Sequence, residues 1–296
     1  MKTERANAKI NTYLNVVSKR ENGYHDIVSI MQTVSLCDLV SVDFYPTEHT
    51  SITLWASGNS NMPTDCRNLA WRAAEKFLQA TRRRGEVRII IEKHIPMAAG
   101  LAGGSADAAA VLRALNKLCQ NPLSLEELCA IGATLGADVP FCIRGGSARV
   151  TGIGEKMSDF PKMPSAYLVV ACRGEGVSTP WAYGELDRKY NGFADVREVD
   201  MRHTWIEKAW NAGDLKGSCN HFFNIFEEVV PTVQKDVEEI KAEMLQKGAM
   251  RAMMSGSGPS VFGIFEEREA AEAACVSLIE SGAAAFVCHP CSAYQI

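Results

Sequence analysis

Short apolar and alternating stretches dominate the first hundred residues of the chain. Four of them have the two-residue period of extended backbone, and we predict antiparallel strands at residues 10–17, 27–34, 39–44 and 52–55. A fifth strand is predicted at 87–91, where valine and isoleucine predominate. This last strand leads directly into a segment rich in glycine and alanine.

Apolar residues at helical spacing predict two helices in the same half of the chain. The first has its apolar face at Ala70, Ala73, Ala74, Phe77 and Leu78. The second follows the glycine-rich segment and has its apolar face at Ala108, Val111, Leu112, Leu115 and Leu118. Ser105 and Asp107 are expected in its first turn, and Pro122 follows its end. Ser124 and Glu127 have the spacing of a capping box, which predicts a third helix that ends before Gly136.

The composition changes between residues 145 and 164, where glycines and prolines crowd between two strand-like stretches. We place a domain boundary there and predict domains at residues 1–160 and 161–296. The second domain is predicted to contain strands at 167–171, 260–265 and 285–288, with helices between them. One of these helices has its apolar face at Ala271, Ala274, Cys275 and Leu278. This order predicts an α+β fold in which helices cover one face of an antiparallel sheet.

The composition is that of a soluble globular protein, with 47% hydrophobic and 22% charged residues in a chain of 296. A net charge of −4 gives no general reason to bind nucleic acid or an anionic membrane surface, so any anionic ligand must be held locally. The one dense basic run, residues 82–84, is explained by a solvated helix end. We therefore expect neither a nucleic-acid nor a membrane partner.

Charged residues such as Lys2, Glu4 and Arg5 interrupt any signal-peptide core, and no run of eighteen apolar residues follows. We therefore expect a cytoplasmic protein. The scattered spacing of the ten cysteines favours reduced thiols over a disulfide framework. Only Cys288 and Cys291 have the CxxC spacing of zinc ligands, and because no second pair lies nearby we predict no zinc site.

The segment 96–106, PMAAGLAGGSA, has the clearest chemical potential. Gly100, Gly103 and Gly104 leave its backbone open to close approach, and a predicted helix begins within it. Successive N–H groups and the positive end of a helix favour a polyphosphate, so we predict that this segment wraps the phosphates of ATP. It lacks both the Gly-Lys-Ser/Thr of a P-loop and the GxGxxG of a dinucleotide site. A tight packing turn between strand and helix is the alternative interpretation.

Five blocks in order along nearly the whole chain resemble the GHMP kinase superfamily, which includes galactose, homoserine, mevalonate and phosphomevalonate kinases. The blocks are AKINTYLNV, ENGYHDI, PMAAGLAGGSADAA, LGADVPF and MSGSGPSVFGIF. The resemblance implies a two-domain α+β fold, with a ribosomal-protein-S5-like N-terminal domain, a ferredoxin-like C-terminal domain and a ligand cleft between them. Together the five blocks are most similar to those of members that phosphorylate a cytidine diphosphate-linked methylerythritol in the non-mevalonate isoprenoid pathway, in which the ENGYH part holds the cytidine diphosphate group.

The resemblance implies a catalytic pair. Asp138 would accept the proton of the substrate hydroxyl, and the ammonium of Lys9 would offset the negative charge that develops. Such a pair suits phosphoryl transfer, which asks the protein mainly for alignment and charge neutralisation. Taken alone, Asp138 could equally cap a helix, and Lys9 could lie on a solvated strand face.

The resemblance also implies two sets of binding residues. Substrate would be bound by Asn11, Tyr24, His25, Thr179, Pro180, Tyr183, Gly256 and Gly258, with Tyr24 stacked on the cytosine ring. ATP would be bound by Asn68, Lys93, Pro96, Met97, Ala98, Ala99, Gly100, Leu101, Ala102, Gly103, Gly104, Ser105 and Ala106. Ordinary packing is the alternative for the aromatic residues and for the glycines at 256 and 258.

A magnesium ion is expected to accompany ATP, but its ligands are not identified by the sequence. Ala98, Ala99 and Ala106 stand where many members of the superfamily have glycine or serine, which leaves Ser105 as the only hydroxyl inside the segment. We expect the protein to act on a small molecule as a monomer or weak homodimer.

Two other functions remain open. The chain could be a different superfamily enzyme, such as a mevalonate, homoserine or galactose kinase or a related decarboxylase, but these have no use for Tyr24 and His25. It could also be a binding protein that kept the fold, although the presence of both Lys9 and Asp138 favours an enzyme.

Overall fold

The computed structural model describes residues 1–58, 61–174, 176–191 and 201–294. The strands are β1 (Lys2–Lys19), β2 (His25–Pro46), β3 (Ser51–Ser57), β4 (Gly85–Glu92), β5 (Ser147–Gly152), β6 (Lys156–Asp159), β7 (Tyr167–Cys172), β8 (Phe223–Asn224), β9 (Arg251–Met254), β10 (Val261–Phe265) and β11 (Ala284–Cys288). The α-helices are α1 (Leu69–Ala80), α2 (Gly103–Leu118), α3 (Leu125–Ala133), α4 (Val139–Arg144), α5 (Thr179–Lys189), α6 (Arg202–Asn211), α7 (Leu215–Cys219), α8 (Asp236–Gln246) and α9 (Arg268–Glu280). Short 3₁₀ turns lie at Ile225–Glu228 and Val230–Thr232.

The first sheet has the strand order β3-β4-β2-β1-β8. In addition, β5 pairs with residues 27–32 of β2, and β6 pairs with β5. Helices α1 and α2 pack against each other and α2 lies on β1 and β2, which buries an apolar layer between helices and sheet. All five residues of the predicted apolar face of α1 are buried. The capping box is confirmed, because Ser124 and Glu127 exchange hydrogen bonds of 3.2 and 2.8 Å at the start of α3.

Two strand predictions need correction. Residues 27–34 and 39–44 belong to a single strand, β2, because the alternation of buried and half-buried positions continues between them and buries Leu36 and Asp38. Strand β3 is parallel to its neighbour β4 and not antiparallel. The connection from β3 to β4 contains α1, and such a helical crossover is what joins adjacent parallel strands.

The second sheet has the order β11-β7-β10-β9, with every pair antiparallel. Its two faces are both buried, since Val169 and Ala171 face helices α8 and α9 while Leu168 and Val170 face the first sheet. The layer between the sheets also contains Ile10 of β1. The helices and antiparallel sheet predicted for this part of the chain are confirmed.

The two sheets exchange segments at their edges. Strand β8 adds to the first sheet by pairing in parallel with β1, although in sequence it lies between β7 and β9 of the second sheet. Residues after β11 return to the first sheet through isolated bridges at Val34 and Gly145. The predicted boundary between residues 160 and 161 stays a prediction. No helix in the described ranges is long and apolar enough to cross a bilayer.

Candidate active site

Two cavities meet at the glycine-rich segment. The smaller has a volume of about 360 Å³ and lies between this segment and the start of α1. The larger, of about 930 Å³, lies between β1, the turn before β2 and α5. Four residues line both cavities: Ala98, Gly100, Ala102 and Ser105. The segment is thus a shared wall, and a group bound in one cavity faces the other across it.

The start of α2 supplies the unpaired backbone donors at this wall. The helix begins at Gly103, and its first intrahelical bond from the cap runs from the N–H of Ala106 to the carbonyl of Ala102. The N–H groups of residues 103–105 precede that bond, as expected at a helix N-terminus that binds an anion. Ser105 lies in the first turn as predicted. Asp107 lies beyond it, because the helix starts two residues before Ser105.

A second glycine-containing segment, residues 255–258, packs against the backbone of the glycine-rich segment at Gly100. Gly100 has φ +78°, and a Cβ added there would overlap the carbonyl oxygen of Ser255. The hydroxyl of Ser255 donates to the carbonyl of Gly100 at 3.1 Å, and the N–H of Ser260 donates to the carbonyl of Ala99 at 3.2 Å. The two segments therefore pack backbone to backbone, which only glycine at position 100 permits.

Lys9 lies on the floor of the larger cavity, nearly buried. Its Nζ donates to Oδ1 of Asn11 at 2.6 Å and lies 4.0 Å from Oδ2 of Asp138. Asn11 in turn donates to the hydroxyl of Ser29 at 2.8 Å, and that hydroxyl donates to the carbonyl of Tyr13. This chain of bonds fixes the ammonium in place. Asn11, which the resemblance assigns to substrate, makes its contact here with Lys9.

Asp138 stands at the N-cap position of α4 but its side chain accepts no capping hydrogen bond. Its carboxylate is 33% exposed and lines the larger cavity opposite Lys9. A carboxylate used as a cap would turn back to the helix N–H groups. Asp138 therefore does not act as a helix cap. Lys9 is buried, so it does not lie on a solvated strand face.

An aromatic and polar cluster closes the far end of the larger cavity. His25 stacks on Tyr183, with ring centroids 4.7 Å apart and planes inclined by 23°, and Tyr183 meets Phe226 edge-on. Nε2 of His25 lies 2.7 Å from Oδ1 of Asp187 on α5. Tyr24 lines the same end and is 59% exposed. Tyr24 and the His25–Tyr183 pair therefore present aromatic surface to the same cavity, which suits a planar heterocycle.

Charge at this cluster is balanced by Asp187. Its carboxylate also accepts a hydrogen bond of 2.6 Å from Nζ of Lys19. Burial alone would raise the pKa of Asp187, but the hydrogen bonds from Lys19 and His25 outweigh it and hold the pKa below its usual range. Burial raises the pKa of the Tyr183 phenol to about 12, so this ring remains neutral and can stack.

Sequence similarity to known proteins identifies the family of this chain. A curated 4-diphosphocytidyl-2-C-methyl-D-erythritol kinase of Clostridium tetani is 41% identical over 90% of this chain and 92% of its own length. The chain belongs to this kinase family. The models of the GHMP kinase N-terminal and C-terminal domains match residues 68–146 and 208–284.

Solved structures agree with this family and its fold. A crystal structure of a 4-(cytidine 5'-diphospho)-2C-methyl-D-erythritol kinase is 31% identical, covers 98% of this chain and 99% of its own, and has a TM-score of 0.80. A homoserine kinase of Cytophaga hutchinsonii shares the fold alone, at 18% identity over 99% of this chain and 95% of its own, with a TM-score of 0.77. The resemblance to GHMP kinases, and the two-domain α+β fold that it implied, are confirmed.

In this member of the kinase family, the residues assigned to the substrate gather at the larger cavity with one exception. Thr179 and Pro180 open α5, and the hydroxyl of Thr179 lies 2.8 Å from that of Ser257. Gly256 lines the cavity and packs against Gly100. Gly258 lies off the cavity wall, where its N–H donates to the carbonyl of Ser255. Residues 255–258 therefore both line the larger cavity and pack against the glycine-rich segment.

At the smaller cavity, Lys93 is held by two buried carboxylates. Its Nζ lies 2.5 Å from Oδ2 of Asp38 and 2.9 Å from Oδ2 of Asp107. The other oxygen of Asp38 accepts the N–H groups of His94 and Ile95. The ion pairs of Lys93 with Asp38 and Asp107 therefore connect the two ends of the glycine-rich segment, since Lys93 precedes it and Asp107 follows it. The neighbouring carboxylates raise the pKa of Lys93 against the opposing effect of burial.

Asn68 and Ala106 have structural contacts that the sequence did not indicate. Asn68 is the N-cap of α1, where it accepts from the N–H of Ala70 at 2.9 Å and donates to the carbonyl of Pro63, while still lining the smaller cavity. Ala106 is buried among core residues and lies in neither cavity wall. A hydroxyl at position 106 would therefore point into the core and not toward a phosphate.

Three side chains of the site were missed by the sequence interpretation: Asp38, Ser29 and Asp187. A signal existed for Asp38, because an aspartate at a buried position of an alternating strand requires a cationic or hydrogen-bonding partner. Ser29 and Asp187 gave no such signal, since their partners lie 18 and 162 positions away in sequence.

Proposed function

We propose that this chain transfers the γ-phosphate of ATP to the 2-hydroxyl group of 4-diphosphocytidyl-2-C-methyl-D-erythritol. The observation that carries this proposal is the position of Lys9 and Asp138 beside the wall shared by the two cavities. A nucleotide in the smaller cavity would direct its terminal phosphate across that wall. The acceptor hydroxyl would approach from the larger cavity.

Asp138 is the proposed base. Its carboxylate takes the proton of the acceptor hydroxyl while the hydroxyl oxygen bonds to the γ-phosphorus, and the bond from that phosphorus to the oxygen bridging it to the β-phosphate breaks to release ADP. Lys9 compensates charge at the transferred group. Its orientation by Asn11 and Ser29 means that little reorganisation is needed, which is the main source of electrostatic catalysis.

ATP binding is supported by the donors at the start of α2 and by the glycine, alanine and serine residues within 98–105, which allow close approach of a triphosphate. The base and ribose would lie toward Asn68 and Lys93. Their hydrogen-bonding groups have protein partners, so we assign them to shaping this end of the cavity as well as to contacting the nucleotide.

The cytidyl group would occupy the slot between Tyr24 and the His25–Tyr183 pair. An aromatic stack supplies about 1 kcal/mol beyond the area it buries, and polar groups at the ring edges add discrimination. His25 and the nearby Thr179 are positioned to supply such groups. The methylerythritol part would then extend toward Asp138.

Magnesium fits this site as a companion of the nucleotide. Among the residues that the structure describes, no cluster of three His, Cys, Asp or Glu side chains could form a protein-only metal site. One carboxylate, Asp138, and one hydroxyl, Ser105, face the place where the phosphates would lie. Mg²⁺ commonly takes few protein ligands and keeps phosphate and water oxygens. When bound, it would neutralise phosphate charge.

Three further expectations complete the proposal. We place the protein in the cytoplasm, assign residues 1–160 and 161–296 to its two domains, and expect a monomer or weak homodimer. The domain assignment is supported by the division of the strands within residues 2–159 and 167–288 between the two main sheets, apart from β8.

A direct assay tests the function. Purified protein with Mg-ATP should phosphorylate 4-diphosphocytidyl-2-C-methyl-D-erythritol. Phosphorus NMR detects the phosphorylated product, and a coupled assay measures the release of ADP. Cytidine diphosphate should compete with the acceptor. Absence of phosphorylation under conditions where ATP binds would refute the proposal. Turnover of homoserine, mevalonate or galactose without competition from cytidine diphosphate would instead support another GHMP kinase activity.

A further inference from the structure

The chain returns to the first sheet after β11, and the residues involved, 289–294, are here named the β11 extension. Its N–H and carbonyl groups pair with β2, where the N–H of Cys291 donates to the carbonyl of Thr33 at 2.8 Å. It then reaches the end of α4, where the N–H of Tyr294 donates to the carbonyl of Arg144 at 2.8 Å. The extension therefore connects a strand of the site to α4, the helix that Asp138 immediately precedes.

Two glycines let the extension pass close to α4. A Cβ at Gly145 would lie 2.8 Å from the ring of Tyr294, and one at Gly146 would lie 2.9 Å from the nitrogen of Ala293. Both residues also have positive φ, at +69° and +78°. The backbone at the end of α4 is thus shaped to receive the Tyr294 ring.

The Tyr294 ring covers a completely buried arginine. The guanidinium carbon of Arg113 lies 3.8 Å from the centroid of the ring. Arg113 is on α2, and its Nη1 donates to the carbonyl of Cys142 in α4 at 2.7 Å while its Nη2 donates to the carbonyl of Arg5 in β1 at 2.8 Å. A buried guanidinium with this geometry holds its partners firmly, because each lost bond leaves a buried charged donor without an acceptor.

The hydroxyl of Tyr294 adds a second link to β1. It donates to Oδ1 of Asn7 at 2.8 Å and accepts from the N–H of Asn7 at 3.3 Å. Asn7 precedes Lys9 by two residues on the same strand. Arg113 and Tyr294 together therefore join the three elements that present the site: β1 with Lys9, α4 with Asp138, and α2 with the glycine-rich segment at its start.

We propose that Tyr294, acting through Arg113, is a positioning residue of the phosphoryl-transfer site that fixes α4 against β1 and so sets the separation of Lys9 and Asp138. Tyr294 lines neither cavity and touches no reacting group. Its effect would therefore fall on the chemical step and not on binding. This inference rests on the catalytic roles assigned above to Lys9 and Asp138.

Substitution at Tyr294 tests the idea through the split between kcat and KM. In Tyr294→Ala we expect kcat to fall about tenfold, since small misplacements of catalytic groups cost one to two orders of magnitude. The KM values for ATP and for the cytidyl substrate should stay within about twofold. Tyr294→Phe keeps the ring over Arg113 and should recover most of the rate. Tyr294→Leu, which keeps much of the volume, replaces the alanine variant if that one does not fold.

Tyr45→Ala is the matched control. Tyr45 also carries an arginine near its ring, with Arg88 5.1 Å from the centroid, and it lines neither cavity. Its removal should leave kcat unchanged. An unchanged kcat in Tyr294→Ala, or equal changes in kcat and both KM values together with a lowered melting temperature, would overturn the inference in favour of a purely structural role.

Hydrogen exchange separates this inference from the proposed function. The amides of Cys142 and Gly145 are bonded within α4, to the carbonyls of Asp138 and Phe141. Their exchange should accelerate about tenfold in Tyr294→Ala and remain unchanged in Tyr45→Ala. Faster exchange would support the positioning role even if the wild-type protein proved inactive on the cytidyl substrate. Unchanged exchange in an active wild-type background would overturn it.

Discussion

Nε2 of His25 lies 2.7 Å from Oδ1 of Asp187, a contact that joins the start of β2 to α5 across the mouth of the larger cavity. Lys19, on the other side of the same turn, binds the second carboxylate oxygen at 2.6 Å. Because the carboxylate of Asp187 accepts a hydrogen bond from Nε2 of His25, it fixes the orientation of the imidazole against Tyr183. The proposed cytidyl slot therefore depends on a carboxylate that is not part of the aromatic stack.

Replacing Asp187 with Asn should weaken acceptor binding selectively. The amide lacks the charge that holds Lys19 and His25, so we expect KM for the cytidyl substrate to rise about tenfold, equivalent to about 1.4 kcal/mol, with KM for ATP changed by less than about twofold. Steady-state kinetics with each substrate varied in turn measure this. Arg188→Gln, an exposed neighbour on the same helix, is the control. Equal increases in both KM values would contradict the assignment.

Asp138→Asn should abolish turnover while ATP affinity stays within a few fold of wild type. The amide cannot accept the hydroxyl proton, but it leaves the glycine-rich segment and its donors in place. Calorimetry with a non-hydrolysable ATP analogue gives the affinity, and the coupled ADP assay gives the rate. Turnover close to wild type would remove Asp138 from the mechanism, and lost nucleotide binding would indicate a role in shaping the ATP site.

Gly100→Ala should destabilise the fold and weaken nucleotide binding together. A Cβ would collide with the carbonyl of Ser255, and the left-handed backbone at +78° adds strain, so we expect a loss of about 2–4 kcal/mol in unfolding free energy. Urea denaturation measures the loss. Gly104→Ala is the matched control in the same segment, because its Cβ would find only Leu69, at 3.9 Å. Similar stability in the two variants would contradict the packing described for Gly100.

Asp107 should make stability depend on pH. Burial raises the pKa of its carboxyl to about 7, more than the ammonium of Lys93 lowers it, and Asp38 adds to the rise. Because the folded-state pKa is raised, the contribution of Asp107 to the free energy of unfolding is fully present below the unfolded pKa near 4 and is lost as the pH rises toward 7. The slope should approach about 1.4 kcal/mol per pH unit.

Asp107→Asn should remove this dependence. Urea denaturation of the wild type and the variant between pH 4.5 and about 8 compares the two slopes directly. Asp43→Asn, which changes a partly exposed ion pair with the N-terminal amine, serves as the control and should keep the wild-type slope near neutral pH. Parallel curves for wild type and Asp107→Asn would show that Asp107 stays ionised throughout the range.

Local periodicity predicted the helices and the strand positions well because burial on one face decides both. All predicted core positions of α9 are buried, as are those of α1. Pairing was harder to predict. Single-sequence patterns do not distinguish one long strand from two short ones unless a turn residue intervenes, and they do not give the direction of β3.

The candidate functional groups show the same difference between local and long-range signals. Residues inside the recognisable blocks, such as Lys9 and Asp138, were found because the blocks carry them, and the structure brings them within 4.0 Å of each other. Tyr294 and Asp187 lie outside any block. Their contacts join parts of the chain separated by 287 and 162 positions, and no local signal encodes such distances.

The wall common to the two cavities has a practical consequence for inhibitor design. Since Ala98, Gly100, Ala102 and Ser105 face both spaces, a compound that fills the smaller cavity and one that fills the larger cavity can be joined by a linker that crosses the wall at these four residues. Each half would raise the effective concentration of the other, so a tethered bisubstrate compound should gain far more affinity than either half alone.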